Sequence, residues 1–321
     1  MLTCKSPRKV MWFAYQLARR SLPKYASKFS RQDFTLPQLF ACLVVREHQN
    51  KSYRGVEALL RDSVHWCKQI GMRKVPDHNT LCRAFHLILS KEHLVGSMMD
   101  RLVRWMELGR ALLLGDTCAI DSTIYDTHHR SRHYEQRLRD YAAPRQRENA
   151  DSMRSSSAKR SPKLSLSVDV RSHLILAARP RTGLGSDAPE FLPLLEDSRQ
   201  RRRAGLRTVL ADAGFDSHHN HWFARTQLKI RSLIKCGVGR RCRGGKPLRS
   251  RYRRMMQKQL KGSQKGKPFA QRAQAETVNS MMKRNLGDHL RARTPEGRRK
   301  EQMLRVLTHN ISILLARQEE G

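Results

Sequence analysis

The sequence predicts an α/β (α+β) chain: a mixed sheet flanked by helices, preceded by a helical N-terminal region. Three observations predict it. Up to about residue 110 the apolar residues recur at helical spacing. From about residue 111, short apolar runs of strand length occupy 117–124, 163–170, 174–178, 208–211 and 230–234. Helical patterns fall between and after them, at 189–197, 220–227, 270–286 and 300–317.

Residues 10–18 are apolar and follow basic residues, but Gln16 interrupts them and Arg19 and Arg20 end them, so they read as an amphipathic helix and not as a leader. Thr35 can cap a helix with Pro37 in its first turn and Leu39, Phe40, Leu43 and Val44 behind it. A second helix covers about 53–62, with Val56, Leu59 and Leu60 on one face. A third follows Pro76, capped by Asp77, with Leu81, Phe85, Leu87 and Leu89 facing the core. The last two, with Arg83 exposed, fit either a helix-turn-helix or a plain bundle.

In the second half, Leu164, Leu166, Val168 and Val170 alternate along one strand face, which leaves Ser165, Ser167 and Asp169 facing solvent. The run 174–178 is the partner strand. Ser186 or Asp187 starts the helix at 189–197, and Asp216 caps the one around 220–227. Residues 128–162 are polar, basic and serine-rich, a long loop with some helix near 134–141. Residues 237–268 carry twelve Lys or Arg and no acid. The reading is therefore an N-terminal helical, candidate DNA-binding domain at 1–110, then a sheet domain at 111–321 containing the basic segment 237–268.

Charge narrows the function. Sixty-four Lys and Arg face 28 Asp and Glu, a formal net charge of +36. A folded chain with that excess repels itself unless a polyanion screens it, which points to nucleic acid. No apolar run reaches membrane-spanning length. Seven cysteines, an odd number with no CxxC, suit reduced thiols in the cytoplasm.

In so basic a chain, carboxylates inside apolar runs stand out. Asp121 follows Cys118, Ala119 and Ile120; Asp212 follows Val209, Leu210 and Ala211. Both sit where a buried strand opens, the place where sheet proteins assemble sites. Each alone reads equally well as a turn cap. Glu276 has company. At about 100° per residue, Phe269, Arg272, Glu276, Asn279 and Lys283 share a stripe about 80° wide. Ala275, Val278, Met282 and Leu286 form a neighbouring core stripe. A solvated Arg–Glu pair explains part of this but not the alignment with Lys283. Three converging carboxylates would repel without divalent cations, and hard, oxygen-liganded Mg²⁺ meets that need. Arg272 and Lys283 would hold phosphate oxygens nearby.

The segments AIDST (119–123), ADAGFDS (211–217) and FAQRAQAETVNSMMK (269–283) resemble the three acidic blocks of bacterial insertion-sequence DDE transposases. The last fits that family's Tyr-x2-Arg-x3-Glu-x6-Lys signature at Arg272, Glu276 and Lys283. The family's tyrosine is Phe269 here, which has no hydroxyl to offer DNA. VPDHNTLCRAF (75–85) is similar to the helical segment ahead of the family's catalytic domain. The resemblance spans about residues 36–315. It implies a ribonuclease-H-like fold, with Asp121, Asp212 and Glu276 as catalytic metal ligands for two Mg²⁺ ions, Mn²⁺ being able to substitute. Arg272, Asn279 and Lys283 become the DNA-binding residues. Also implied are double-stranded DNA at transposon ends and target site, a homodimer or higher multimer on it, and a nucleoid-associated enzyme in the cytoplasm that cleaves and transfers strands.

Two other readings compete. Asp126, His128, His129 and His133, or His218, His219 and His221, could bind a metal, but no HExxH accompanies them and Arg130 and Arg132 would oppose a cation. A non-catalytic basic nucleic-acid-binding protein would satisfy the charge, but it has no use for the acid among the bases of the last block.

Overall fold

The computed structural model describes residues 3–109, 114–127, 161–183, 185–237, 250–260 and 267–319. Six helices come first: α1 (Pro7–Arg19), α2 (Leu36–His48), α3 (Tyr53–Asp62), α4 (Val64–Gln69), α5 (His78–Leu89) and α6 (Glu92–Leu108). Their starts follow local chemistry. Thr35 and Gln38 form a reciprocal capping box on α2, Ser52 accepts from Gly55 N–H on α3, and Asp77 accepts from Thr80 N–H on α5. Helix α2 is buried from Leu36 to Glu47 and forms the centre of this region. Two expectations change here. The short helix α4 intervenes between α3 and α5, so these two are not joined by the tight turn of a helix-turn-helix. Leu87 is exposed, because α5 packs through Leu81, Ala84, Phe85, Ile88 and Leu89.

The sheet contains β1 (Thr117–Ile124), β3 (Pro162–Asp169), β4 (Ile175–Thr182), β5 (Thr208–Ala211) and β6 (Arg231–Ile234), in the order β4-β3-β1-β5-β6. β3 runs antiparallel to both neighbours, whereas β1, β5 and β6 are parallel. This is the mixed sheet that a ribonuclease-H-like fold requires. Two-residue strands β2 (Asp126–Thr127) and β7 (His289–Leu290) pair separately, too short to leave a pattern in the sequence.

Helix α7 (Phe191–Arg201) packs on β3 and β4. Helix α8 (His218–Trp222) runs into a π-turn at Phe223–Gln227, and α9 (Arg251–Gln259) packs against α8. The short α10 (Lys267–Ala270) precedes α11 (Ala273–Leu286), which crosses β1 and β3. The 25-residue α12 (Pro295–Glu319) lies on β3 and β4 and also meets α1, α2, α5 and α6, so one hydrophobic core runs from the first helices into the sheet. No helix among the described residues is long and apolar enough to cross a membrane.

Strand β3 corrects the alternation argument. All eight of its residues are buried, because α7, α11 and α12 cover it. Asp169 is fully buried, not solvent-facing: its carboxylate accepts from Gly115 N–H at 2.8 Å and from Ser172 N–H and Oγ at 2.8 and 2.7 Å. The cap of α8 is Ser217 and not Asp216. The loop expected at 128–162 lies outside the described residues except for 161 and 162, as do 238–249 and 261–266 of the basic segment; 250–260 is mostly the helix α9.

Candidate active site

The parallel ladder between β1 and β5 ends at Ile120 opposite Ala211. The next residue in each case is an acid: Asp212 just past the end of β5, as expected, and Asp121, which does not end its strand as the sequence suggested, because β1 continues to Ile124 by pairing with β3. Adjacent strands stand about 4.8 Å apart, so these two carboxylates spring from neighbouring backbone positions where β5 stops. Open parallel strands place ligands at such carboxyl ends. Asp212 makes no side-chain cap to the 3₁₀ turn Ala213–Phe215 that follows it.

Helix α11 brings the third acid. The continuous helix expected at 270–286 is broken at residues 271–272, where Ala275 N–H bonds to Arg272 O in place of the regular four-residue step. Arg272 still reaches Glu276, Nη1 to Oε1 at 2.7 Å. Asn279, one turn on, donates from Nδ2 to Asp121 Oδ2 at 2.9 Å. Burial pushes the Asp121 carboxyl above its ordinary range and the Glu276 charge adds to this, against the Ser122 N–H, Arg272 and the Asn279 amide, which pull it down. Asp121, Arg272, Glu276 and Asn279 therefore interact as one group. Phe269 is half-buried against the core.

Lys283 lies further along α11, with Nζ 5.7 Å from the centre of the Tyr125 ring; Arg305 Cζ is 5.4 Å from the same ring. Tyr125 is fully buried just beyond the end of β1, and burial pushes its phenol up to about 12.

Among the described residues, no three His, Cys, Asp or Glu side chains stand close enough to hold an ion as placed. The contacts explain why: Glu276 is turned to Arg272 and Asp121 to Asn279. The donor set itself fits a hard divalent cation, being all carboxylate oxygen. Asn279 Oδ1 is buried without a hydrogen-bond partner beside Asp121, an oxygen that such a centre or its water would satisfy. Asn279 departs from the expectation of a DNA contact, since it is only 7% exposed and its amide is spent on Asp121.

Two supporting clusters escaped sequence reasoning. Asp187 starts the 3₁₀ turn Ala188–Glu190 that leads into α7, as expected, but its side chain makes no cap bond. Its Oδ1 accepts from Ser122 Oγ and pairs with Lys163 Nζ, both at 2.6 Å, and its Oδ2 would stand 3.1 Å from a β-carbon placed on Gly214. It thereby joins β1, β3 and the loop after Asp212, and a β-carbon at Gly214 would crowd it, so that the carboxylate would have to give by a few tenths of an ångström. Asp216, almost wholly buried, accepts from Gly237 N–H at 2.9 Å and Arg253 Nε at 2.8 Å, with His221 Nε2 at 3.5 Å. Burial alone would raise this carboxyl; His221, the Gly237 N–H and Arg253 outweigh it and hold it below its ordinary range. His221 Nδ1 meets Ser232 Oγ at 2.8 Å, a structural role and not metal ligation. Only the pairing of an acid with small residues, Gly214 and Ser217, marked this loop in the sequence.

Two family models match the chain: "Transposase DDE domain" over residues 114–311 and "Transposase domain (DUF772)" over residues 11–87. The first covers more than half of the chain, which therefore belongs to the DDE transposase domain family. Among solved structures, a cryo-EM structure of the piggyBac transposase synaptic complex with hairpin DNA is similar over 100% of this chain and 74% of that one, at 11% identity and a TM-score of 0.46. A search of curated proteins returned no match.

Proposed function

We propose that this transposase cleaves DNA at the ends of an insertion sequence and transfers the freed strand to a target, using Asp121, Asp212 and Glu276. The observation that carries the reading is the linked group in the middle of β1: Asp121 bonded to Asn279 and coupled in charge to Glu276, with Asp212 just past the end of the adjacent strand β5. Two Mg²⁺ ions, or Mn²⁺, held by these carboxylates would activate the attacking oxygen and stabilise the leaving oxygen of a phosphodiester.

The chain's own residues do the rest. Asn279 occupies one oxygen of Asp121 and fixes the direction of the other. Glu276 is half-exposed and paired with a neighbouring arginine, so it can turn to the centre when Arg272 turns to a phosphate. Arg272 then grips that phosphate with a planar fork and Lys283 adds a point charge. Residues 1–110 form a helical domain that helps hold DNA, 111–321 form the catalytic domain, and two or more copies act together on the transposon ends, in the cytoplasm at the nucleoid.

Glu276→Gln keeps the side chain's shape and removes its charge. Duplexes carrying the ends of the element should bind as before, while Mg²⁺-dependent nicking falls by 10³-fold or more, about 4 kcal/mol of barrier. Wild-type nicking would make α11 structural and leave the non-catalytic nucleic-acid-binding reading. Asn279→Ala should weaken the apparent Mg²⁺ affinity about 10–100-fold with DNA affinity unchanged.

A further inference from the structure

The N-terminal face of α1 and the turn after it are unexplained by the catalytic centre. Residues 3–34 hold eight cations (Lys5, Arg8, Lys9, Arg19, Arg20, Lys24, Lys28 and Arg31) and one acid, Asp33, which is already paired with Lys74 at 3.0 Å. At about 100° per residue, Arg8, Trp12, Tyr15 and Arg19 lie in a stripe about 60° wide. The opposite face of α1 is its core side, carrying Val10, Phe13, Ala14 and Leu17. Trp12 is 42% exposed although it is the largest apolar side chain on the helix.

Beyond α1 the chain is fixed and not slack. Arg101 holds Ser21 Oγ and Arg20 O, and Leu36 N–H bonds to Lys24 O. Ser27 and Ser30 then close a turn on each other, with Ser27 N–H donating to Ser30 Oγ at 3.0 Å and Ser30 N–H to Ser27 O at 3.2 Å. That turn presents Lys28 and Phe29 at its tip, the ring 85% exposed with Lys28 Nζ 5.0 Å from its centre. Lys24 stands over Tyr25 at 5.4 Å and Arg19 over Tyr15 at 5.7 Å. Burying an apolar ring is favourable, so a ring held open by a hydrogen-bonded turn among cations suits a partner that brings both negative charge and flat apolar faces.

This surface also begins at the catalytic helix. Lys5 Nζ donates to Asn285 Oδ1 at 2.8 Å, on the last turn of α11, two residues beyond Lys283. From Arg8 to Arg19 the stripe spans about 16 Å, the rise of about five base pairs.

We propose that α1 and the 20–34 turn form an interface for duplex DNA that extends the grip from the catalytic helix. Arg8, Arg19, Lys24 and Lys28 take backbone phosphates, and Phe29 and Trp12 set their rings against bases at an opened step. The inference rests on the transposase reading and names which face of the helical region meets DNA. Helices α3 and α5 are less suited, because Glu57, Asp62 and Asp77 sit on or beside them.

The test uses the full chain, a fluorescein-labelled 30-base-pair duplex of arbitrary sequence and buffer containing EDTA, so that no strand is cut. Replacing Arg8, Arg19, Lys24 and Lys28 together with alanine should lower the slope of log affinity against log salt by about 3.6, at roughly 0.9 per phosphate. Phe29→Ala should weaken binding about tenfold with the slope unchanged, the signature of lost stacking and not of lost charge. Arg83→Ala, on α5, should leave both unchanged. All of these side chains are exposed or half-buried, and an unaltered thermal melt confirms the fold. A wild-type slope in the fourfold variant, or wild-type affinity in Phe29→Ala, would overturn the interface. Nicking that survives alongside a wild-type slope rejects this surface alone; DNA bound through this face but never cut by the wild-type chain with Mg²⁺ rejects the catalytic reading alone.

Discussion

Among the described residues arginine and glutamate pair four residues apart on a helix at Glu57–Arg61, Arg272–Glu276 and Glu301–Arg305, and the surroundings of the last two differ completely. Arg272 and Glu276 meet at 2.7 Å with side chains 22% and 55% exposed. Glu301 and Arg305 meet at 3.1 Å with both side chains 1% exposed. In the second case every direction is filled. Glu301 accepts from Arg291 and Ala292 N–H, while Arg305 donates to Gly287 O, His289 O and Glu47 Oε2, and Glu47 is paired with Arg46 at 2.8 Å. The buried pair joins α2, the stretch around β7 and α12 and cannot change partners. The exposed pair stands beside Asp121 with both side chains partly open to solvent, so that its members can be exchanged for a phosphate and a cation. Spacing makes the pair; packing decides whether it is a fastener or a site.

The comparison can be broken first at its buried end. Arg305→Met should cost about 3–5 kcal/mol in urea unfolding, since Glu301 and Glu47 would be left as buried charges without their partner. A loss below 1 kcal/mol would mean that water reaches the cluster.

One turn further along α12, His309 sharpens the point: it is buried, and no carboxylate among the described residues offsets that burial. Burial pushes it down to about 4, with the His173 charge also lowering it and the bond of Nε2 to His173 O opposing. Folding holds it neutral, so its contribution is full above about pH 6.5 and is lost as the pH falls through about 4, a change of about 3 kcal/mol. Unfolding followed from pH 7 to pH 4 should show that decline, and His309→Gln should flatten it. An unchanged profile in the variant would assign the acid sensitivity elsewhere.

At the exposed end the effect on stability should be smallest. Arg272→Ala should shift unfolding by only a few tenths of a kcal/mol, the worth of a surface pair on a helix. A cost above 1 kcal/mol would show that the pair braces the break before α11 and is not held in reserve.

Much of this was legible in the sequence, for identifiable reasons. The strands around Asp121 and Asp212 showed as apolar runs because both are central and covered on both faces. The stripe on α11 followed from helical periodicity alone. Asp169 misled because alternation signals a half-exposed strand, whereas β3 buries its polar face through local hydrogen bonds to Ser172 and Gly115. Asp187 does open its turn, but neither its side chain nor that of Asp216 caps one: caps are local, while their side-chain partners, Lys163 and Arg253, lie 24 and 37 residues away in the chain. Asn279 was visible as a member of the right stripe, but no periodicity could show that it faces Asp121.

The clamp at Asp216 has one further consequence. The chain leaves the sheet region at Gly237 and returns at Arg253, and both ends are tied to the same carboxylate, with Arg253 also donating to Gly237 O. The ring is thus closed at its neck, whatever lies between. Closing a loop costs little more as it lengthens, roughly 0.6 kcal/mol per doubling. A change of sequence or length between these two tied ends should therefore have almost no effect on the loop that carries Asp212. In relatives this is where change should accumulate, and in the laboratory it is where a foreign segment can be grafted without disturbing the catalytic loop.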